Sequence, residues 1–292
     1  MPVNLPHFMR GERTCPICGG EQSLRYRGTM ERLSPDALSP TNHRPGEYGD
    51  LYRCAGCGTV QQPSLPRGAE LARLYREMHD EAYLLEERGR RRAARRLLDM
   101  LGRRAPAGRL LDVGCGPGLL LDEARRRGYD VEGLEPSASA AAYARGELGL
   151  RVHEQPLDEY DSEARYDAVV MADVVEHLDD PVAGIRRCRE LLRPGGVLCV
   201  VTPDPSSLTA RAAGSRWWGL LPAHTFLLPR RTLRGLLTAE GMLISDDVPF
   251  VRSFSARYWL NGLAQRGGLL SAAIEAIGRV LPDRVSSPQA WR

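Results

Sequence analysis

Lysine is absent from this chain of 292 residues, so all 40 basic side chains are arginine. No lysine can therefore serve as a Schiff base or as a general base. Long apolar runs are missing too. Stretches such as Val197–Val201 are only a few residues long, whereas a membrane-spanning helix needs about 20. The first residues carry Pro2, Pro6 and His7 and no apolar signal core. The expectation is a cytoplasmic protein with no membrane partner. A surplus of one charge is also lacking. Forty basic and 37 acidic residues leave a formal charge of +3, too little for an overall field that gathers nucleic acid or anionic lipid. The length fits one large or two modest domains, and no internal repeat is visible.

Seven cysteines are present, and in a chain expected in the cytosol they argue against a disulfide framework. Four of them form two knuckles, Cys15-Pro-Ile-Cys18-Gly-Gly and Cys54-Ala-Gly-Cys57-Gly. Two such knuckles offer four thiolates to one tetrahedral Zn2+, with a redox pair as the alternative. The segment between them is longer than usual and predicts an inserted loop or hairpin. Residues 1–67 are thus expected to form a zinc-ribbon domain whose metal is structural.

Residues 68–105 are expected to form a helical linker or lid. Leu71, Leu74 and Tyr75 recur at helical spacing, as do Ala94, Leu97, Leu98 and Leu101. Six arginines between 88 and 96 form a solvated face or an anion-binding one. Tyr83 and Arg88 are placed to cover a ligand of the following domain. From residue 109 strands and helices alternate, which implies a parallel sheet. Strands are expected at 109–113, 129–135, 150–154, 166–171 and 197–202, with Asp167 at a strand mouth and a terminal strand pair beginning over 241–248. The main domain runs over 106–260, and 261–292 is a helical tail with an amphipathic stretch at 269–281.

The most informative stretch is Leu110-Leu-Asp-Val-Gly-Cys-Gly-Pro-Gly118. Glycine permits a positive φ and lets backbone approach a ligand closely. A strand, a glycine turn and a helix build a nucleotide-type cradle. The Gly-x-Gly-x-Gly spacing differs from the dinucleotide fingerprint. It resembles motif I of the class I S-adenosylmethionine (SAM) methyltransferases. Later blocks are similar to that family in order: Val131-Glu-Gly-Leu-Glu135-Pro-Ser, Tyr166-Asp-Ala-Val-Val-Met-Ala-Asp173, Leu191-Leu-Arg-Pro-Gly-Gly196, then His224 and Glu240-Gly-Met242. The resemblance implies an α/β fold with a Rossmann-like seven-stranded sheet and SAM as cofactor. It implies SAM contacts from Asp112, Gly114, Cys115, Gly116, Gly118 and Leu119 in the first block. Glu135, Pro136 and Ser137 are implied in the second, Glu135 accepting from the ribose hydroxyls. At the adenine, where many relatives carry an acidic residue just after the third strand, this chain departs with His153-Glu-Gln-Pro-Leu157-Asp158: the segment Gln155, Pro156 and Leu157 is expected there, with Asp158 as the alternative. Met171, Ala172 and Asp173 are implied at the end of the fourth strand. Relatives with zinc knuckles act on small molecules such as sugars, polysaccharide precursors and secondary metabolites.

Asp173-Val-Val-Glu176-His177 is the reactive cluster. If a helical turn begins at Asp173, residues 173, 176 and 177 share one face. Three readings stand. His177 or His224 is a general base for a hydroxyl, helped by an ordinary pKa of about 6.5. Alternatively, Asp173, Glu176, His177 and His224 hold a second divalent metal that acidifies the acceptor. Or Glu176 and His177 merely cap a turn. The cluster is similar to the Glu-x-x-Glu-His and distant His of the metal-using ubiquinone-pathway O-methyltransferases and small-RNA 3′-terminal methyltransferases, with Asp173 in place of their first Glu. Acceptor recognition is expected in 204–230, where Trp217 and Trp218 either stack on a ligand or anchor a lid, and Arg211, Arg216 and Arg230 offer charge. The expectation is methyl transfer to a hydroxyl of a small-molecule acceptor. The alternatives are a zinc-ribbon module binding nucleic acid or a carrier, and a pseudoenzyme that keeps SAM without turnover.

Overall fold

A computed structural model describes residues 3–4, 14–41, 46–255 and 286–291. The element order begins with β1 (Val3–Asn4), β2 (Gln22–Tyr26), β3 (Arg32–Leu33), β4 (Leu51–Cys54) and β5 (Val60–Gln61). Helices α1 (Ala69–Arg76) and α2 (Glu87–Leu101) follow. Both are amphipathic: α1 buries Leu71 and Leu74, and α2 buries Ala94, Leu97, Leu98 and Leu101. These are the helical spacings read from the sequence.

The alternating part runs β6 (Arg109–Val113), α3 (Leu119–Arg125), β7 (Asp130–Leu134), α4 (Ala138–Gly146), β8 (Val152–His153), β9 (Tyr166–Ala172), α5 (Pro181–Leu191) and β10 (Leu192–Val201). Local chemistry sets the helix starts. The Ser137 hydroxyl accepts from Ala140 N, and the Asp180 carboxylate accepts from Val182 N and Ala183 N ahead of Pro181, a residue favoured in the first helical turn. The five strands form one parallel sheet in the order β10-β9-β6-β7-β8. Strand β6 connects to β7 on one side and lies beside β9 on the other, so the order reverses there. Ligands of open α/β sheets bind outside the carboxyl ends of the strands at such a reversal.

Side chains alternate across these strands and divide the core in two. Leu110, Ala168 and Val170 pack with Leu97, Leu98, Leu121 and Ala141 on one face. Leu111, Val113, Val169 and Met171 pack with Ile185 and Leu191 on the other. The described sheet has five strands where seven were expected. Residues 242–249 have no regular structure, and the next strand, Phe250–Ser255 (β12), pairs antiparallel with Ser286–Trp291 (β13) in a separate two-stranded sheet. The amphipathic stretch 269–281 lies outside the described residues. Asp167 stands at the opposite end of β9 from the expected mouth. Its carboxylate accepts from Arg109 N and pairs with Arg193.

After β10 come α6 (Leu208–Ala213), β11 (Phe226–Leu227) and α7 (Arg230–Ala239). Strand β11 pairs antiparallel with β5, giving a four-stranded sheet in the order β11-β5-β4-β2. The segment after the fifth parallel strand therefore completes the sheet that carries the cysteine knuckles. Tyr48, Leu51 and Val60 pack there with Trp217, Leu220 and Leu227. Among the described residues, no helix is long and apolar enough to cross a membrane.

Candidate functional site

The glycine turn leaves β6 with φ of +66° at Gly114, +54° at Gly116 and +83° at Gly118, a region costly to side-chain-bearing residues. Space is equally restrictive. A Cβ on Gly114 would lie 2.7 Å from Val174, and one on Gly118 would lie 2.5 Å from Leu150. The turn borders a cleft at the reversal point, lined by Asp112, Gly114, Cys115, Leu119, Ala172 and Asp173 among the expected cofactor residues. The opposite wall is the 81–86 turn and α2, through Tyr83, Arg90, Ala93 and Leu97. Arg90, not the expected Arg88, enters the cleft. Its guanidinium lies over the Tyr83 ring at 3.6 Å, and its buried Nε has no hydrogen-bond partner among the described residues.

Glu135 closes β7 beside this turn and is held by backbone. Its Oε2 accepts from Gly116 N (2.7 Å) and its Oε1 from Ser137 N (2.8 Å). Burial raises its pKa to about 7 despite those two bonds. Asp112 is pushed well above the carboxylate range, first by burial and then by the nearby Glu135. Ser137 caps α4 and its hydroxyl donates to Met78 O, joining the second motif to the chain just after α1. Pro136 sits between them, half-buried.

Three expected contacts are turned elsewhere. Met171 is fully buried in the core face shared with Leu111 and Val113. It has the opposite side-chain parity to Ala172, which lines the cleft, so only its backbone can face a ligand. Leu157 is buried in the same cluster. Gln155 is half-buried and its amide donates to Glu159 O (3.4 Å), outside the cleft.

Asp173 does not open a helical turn with Glu176 and His177. Its N donates to Val201 O (2.8 Å), extending the strand pairing, and its φ is then +59°. The short helical turn spans only Val175–His177. Consequently Asp173 lies in the cofactor cleft, while Glu176, His177 and His224 form a separate trio. One ligand atom from each lies within 4.8 Å of the others. The two imidazoles stand edge to face, 4.9 Å between centroids. His224 Nδ1 donates to Gly219 O (2.8 Å), and His177 Nδ1 donates to Ala223 O (3.0 Å), with Tyr75 Oη 2.9 Å from the same nitrogen. Each Nδ1 faces a carbonyl, so each ring keeps its proton there and leaves an Nε2 lone pair. Thr202 Oγ1 donates to Glu176 Oε2 (2.9 Å).

Burial lowers His177 to about 4; burial and then the neighbouring His177 lower His224 to about 3. A general base works best with a pKa near the operating pH, so these environments weigh against the base reading. Two imidazole nitrogens and a carboxylate suit Mg, Mn, Fe or Zn ions, and histidine ligands typically donate their other nitrogen to a carbonyl. The trio therefore fits a divalent cation. Tyr75 was read only as part of an apolar stripe. Its neighbour in space, His177, is 102 residues away in sequence, and spacing alone gives no sign of that meeting.

The four knuckle cysteines also converge, with their sulfurs within 4.8 Å of one another. The Sγ–Sγ separations are 3.7 Å for Cys15–Cys57 and 3.4 Å for Cys18–Cys54. Four sulfurs at tetrahedral Zn–S distances would lie about 3.8 Å apart. Backbone N–H groups of Ile17 and Cys18 point to the Cys15 sulfur, and those of Gly56 and Cys57 to the Cys54 sulfur. Such bonds favour thiolates, and the set fits a structural zinc.

Comparison with known proteins bears on the same region. The family described as Methyltransferase domain matches residues 85–242. A ubiquinone biosynthesis O-methyltransferase of Bradyrhizobium sp. (strain ORS 278) is 39% identical over 96 residues, covering 31% of this chain and 38% of the relative. One of Rhodopseudomonas palustris (strain HaA2) is 36% identical over 164 residues, covering 51% and 63%. The chain thus spans less than two thirds of the length of these relatives. The crystal structure of Streptomyces venezuelae DesVI is 30% identical, covering 44% of this chain and 61% of its own, at a TM-score of 0.40. With its motifs in order around the reversal point of a parallel sheet, the chain belongs to the class I S-adenosylmethionine-dependent methyltransferases.

Proposed function

We propose that this protein moves the methyl group of SAM to a hydroxyl oxygen of a small molecule, with a divalent cation held by Glu176, His177 and His224. The observation that carries the reading is the trio itself: three donors within 4.8 Å, with both histidines tied through Nδ1 to carbonyls so that Nε2 is the free donor. The relatives bearing the name ubiquinone biosynthesis O-methyltransferase support an oxygen acceptor. When bound, SAM supplies an electrophilic methyl and the cation a Lewis acid that acidifies a hydroxyl.

The chain's own residues do the rest. The glycine turn admits the cofactor to the backbone, and Glu135 accepts from its ribose. Arg90, stacked on Tyr83 with an unused buried Nε, takes the methionine carboxylate, a charge-assisted bond stronger than a neutral one. Asp112 and Asp173 line the same cleft and would offset the positive charge of the bound sulfonium. Thr202 orients Glu176, and Tyr75 braces His177. In-line transfer then depends mainly on alignment. Cys15, Cys18, Cys54 and Cys57 hold a structural zinc. Trp217 serves as an anchor for 204–230, because its ring is buried against Leu51 and Val60; acceptor contacts belong to the rest of that segment.

The test is release of S-adenosylhomocysteine from the zinc-loaded protein with panels of phenolic, sugar-hydroxyl, amine and carboxylate acceptors. Turnover on a hydroxyl acceptor, abolished by chelator and restored by Mg2+ or Mn2+, is expected. Turnover confined to amines or carboxylates, or indifferent to added cation, would refute the proposal.

A further inference from the structure

Gln62 stands one residue after β5, in the sheet that carries the cysteine knuckles, and its side chain is 1% exposed. Every polar atom of its carboxamide is used. Oε1 accepts from Gly49 N (2.7 Å), while Nε2 donates to Leu221 O (2.9 Å) and His224 O (2.7 Å), with Pro222 O at 3.5 Å. Its backbone N donates to Thr225 O (3.0 Å). Five bonds therefore run from Gln62, just after the ribbon sheet's β5, to Gly49 and the 221–225 turn.

That turn fixes both histidines of the trio. It carries His224 itself, and its Ala223 carbonyl receives the His177 Nδ1 proton. Close by, β5 pairs with β11 through Gln61–Phe226 and Val60–Leu227, so the turn is clamped on its C-terminal side as well. Downstream, Thr232 Oγ1 donates to Cys57 O (2.7 Å), returning the chain to the second knuckle.

We infer that Gln62 is a positioning residue for the His177–His224 pair: its amide group sets the turn that carries His224 and whose Ala223 carbonyl fixes the tautomer and aim of the His177 ring. This rests on the reading that the two histidines serve the reaction site. The reason is chemical. The turn's carbonyls face inward from water, and buried acceptors left unsatisfied are costly. Without the Gln62 donor the turn must shift to find other partners, and the rings move with it.

Two full-length, zinc-loaded variants test this. Gln62→Glu can still accept from Gly49 N but turns a carboxylate oxygen toward the Leu221 and His224 carbonyls. Gln62→Met removes both donors without adding charge and decides the matter if Gln62→Glu does not fold. Long-range proton–nitrogen NMR correlations of isotope-labelled histidines report each ring's tautomer, with exposed His153 as an internal control. In wild type, His177 and His224 are expected as single Nδ1–H tautomers. In the variants the His177 tautomer pattern changes, and the His224 signals shift as its backbone moves while its Nδ1 keeps Gly219 O. Mn2+ affinity falls about 10–100-fold, the usual scale for a lost outer partner of a metal ligand. The His153 signal and S-adenosylhomocysteine binding stay as in wild type. Unchanged His177 and His224 signals in a folded variant would overturn the role of Gln62. A wild type that binds no Mn2+ would instead remove the cation, and the ring signals would still judge Gln62.

Discussion

The proposed role of Glu135, accepting from two ribose hydroxyls, requires it to be ionised, yet burial lifts its pKa to about 7. The sign follows directly: above that value the carboxylate is free to accept, below it a proton occupies the same oxygens. SAM affinity measured by calorimetry should therefore fall as the pH drops through about 7, and Glu135→Gln should bind more weakly with that pH dependence flattened. Arg90→Leu is expected to weaken SAM binding by about 10–100-fold, the equivalent of a charge-assisted bond of about 1.5–3 kcal/mol, without changing the thermal midpoint greatly. The motif residues Asp112, Gly114 and Glu135 were legible in the sequence because their roles depend on local chain geometry. Arg90 was not singled out among six neighbouring arginines. One signal was available: Arg90, Ala94, Leu97 and Leu101 recur at helical spacing, so Arg90 continues the stripe that α2 buries. Asp173 misled for the opposite reason. Spacing suggested a helix, but strand pairing to Val201 carries the chain past it in a left-handed conformation.

At the level of elements, β6, β7 and β9 follow their sequence signals closely, because short apolar runs are local and are buried almost throughout. Strand β11 gave no such signal. It has two residues, and it is a strand only because β5 lies beside it. The expected strand over 241–248 does not form: Met242 packs against the core, but Leu243 is almost fully exposed and Val248 is exposed too. The knuckles are the clearest case of chemistry readable from spacing. Their convergence predicts one tightly held Zn2+ per chain by elemental analysis. Cys54→Ser should lose that metal, and because β11 shares the sheet, it should also loosen the 221–225 turn. Proteolysis within 204–230 of the metal-depleted variant, against protection in the wild type, would register that coupling; equal protection would contradict it.

Across the whole molecule, two layers meet at one place. The parallel sheet sets the cofactor cleft at its point of reversal, and the ribbon sheet, completed by β11, brings His224 to Glu176 and His177. Strand and helix alternation disclosed the first arrangement. Nothing local disclosed the second, since residues near 50–62 and 219–227 meet only through tertiary pairing. Thus the glycine turn and its neighbouring motifs were readable locally, and the assembly of the Glu176, His177 and His224 trio required the fold. The central claim is that a divalent cation sits in the trio, next to but distinct from the SAM cleft. It is tested most directly by a crystal structure of the zinc-loaded protein soaked with Mn2+ and S-adenosylhomocysteine, with anomalous scattering recorded at the manganese edge. A peak is expected between Glu176, His177 Nε2 and His224 Nε2, with Asp173 outside it. A fully occupied cofactor cleft with no anomalous density at the trio would contradict it.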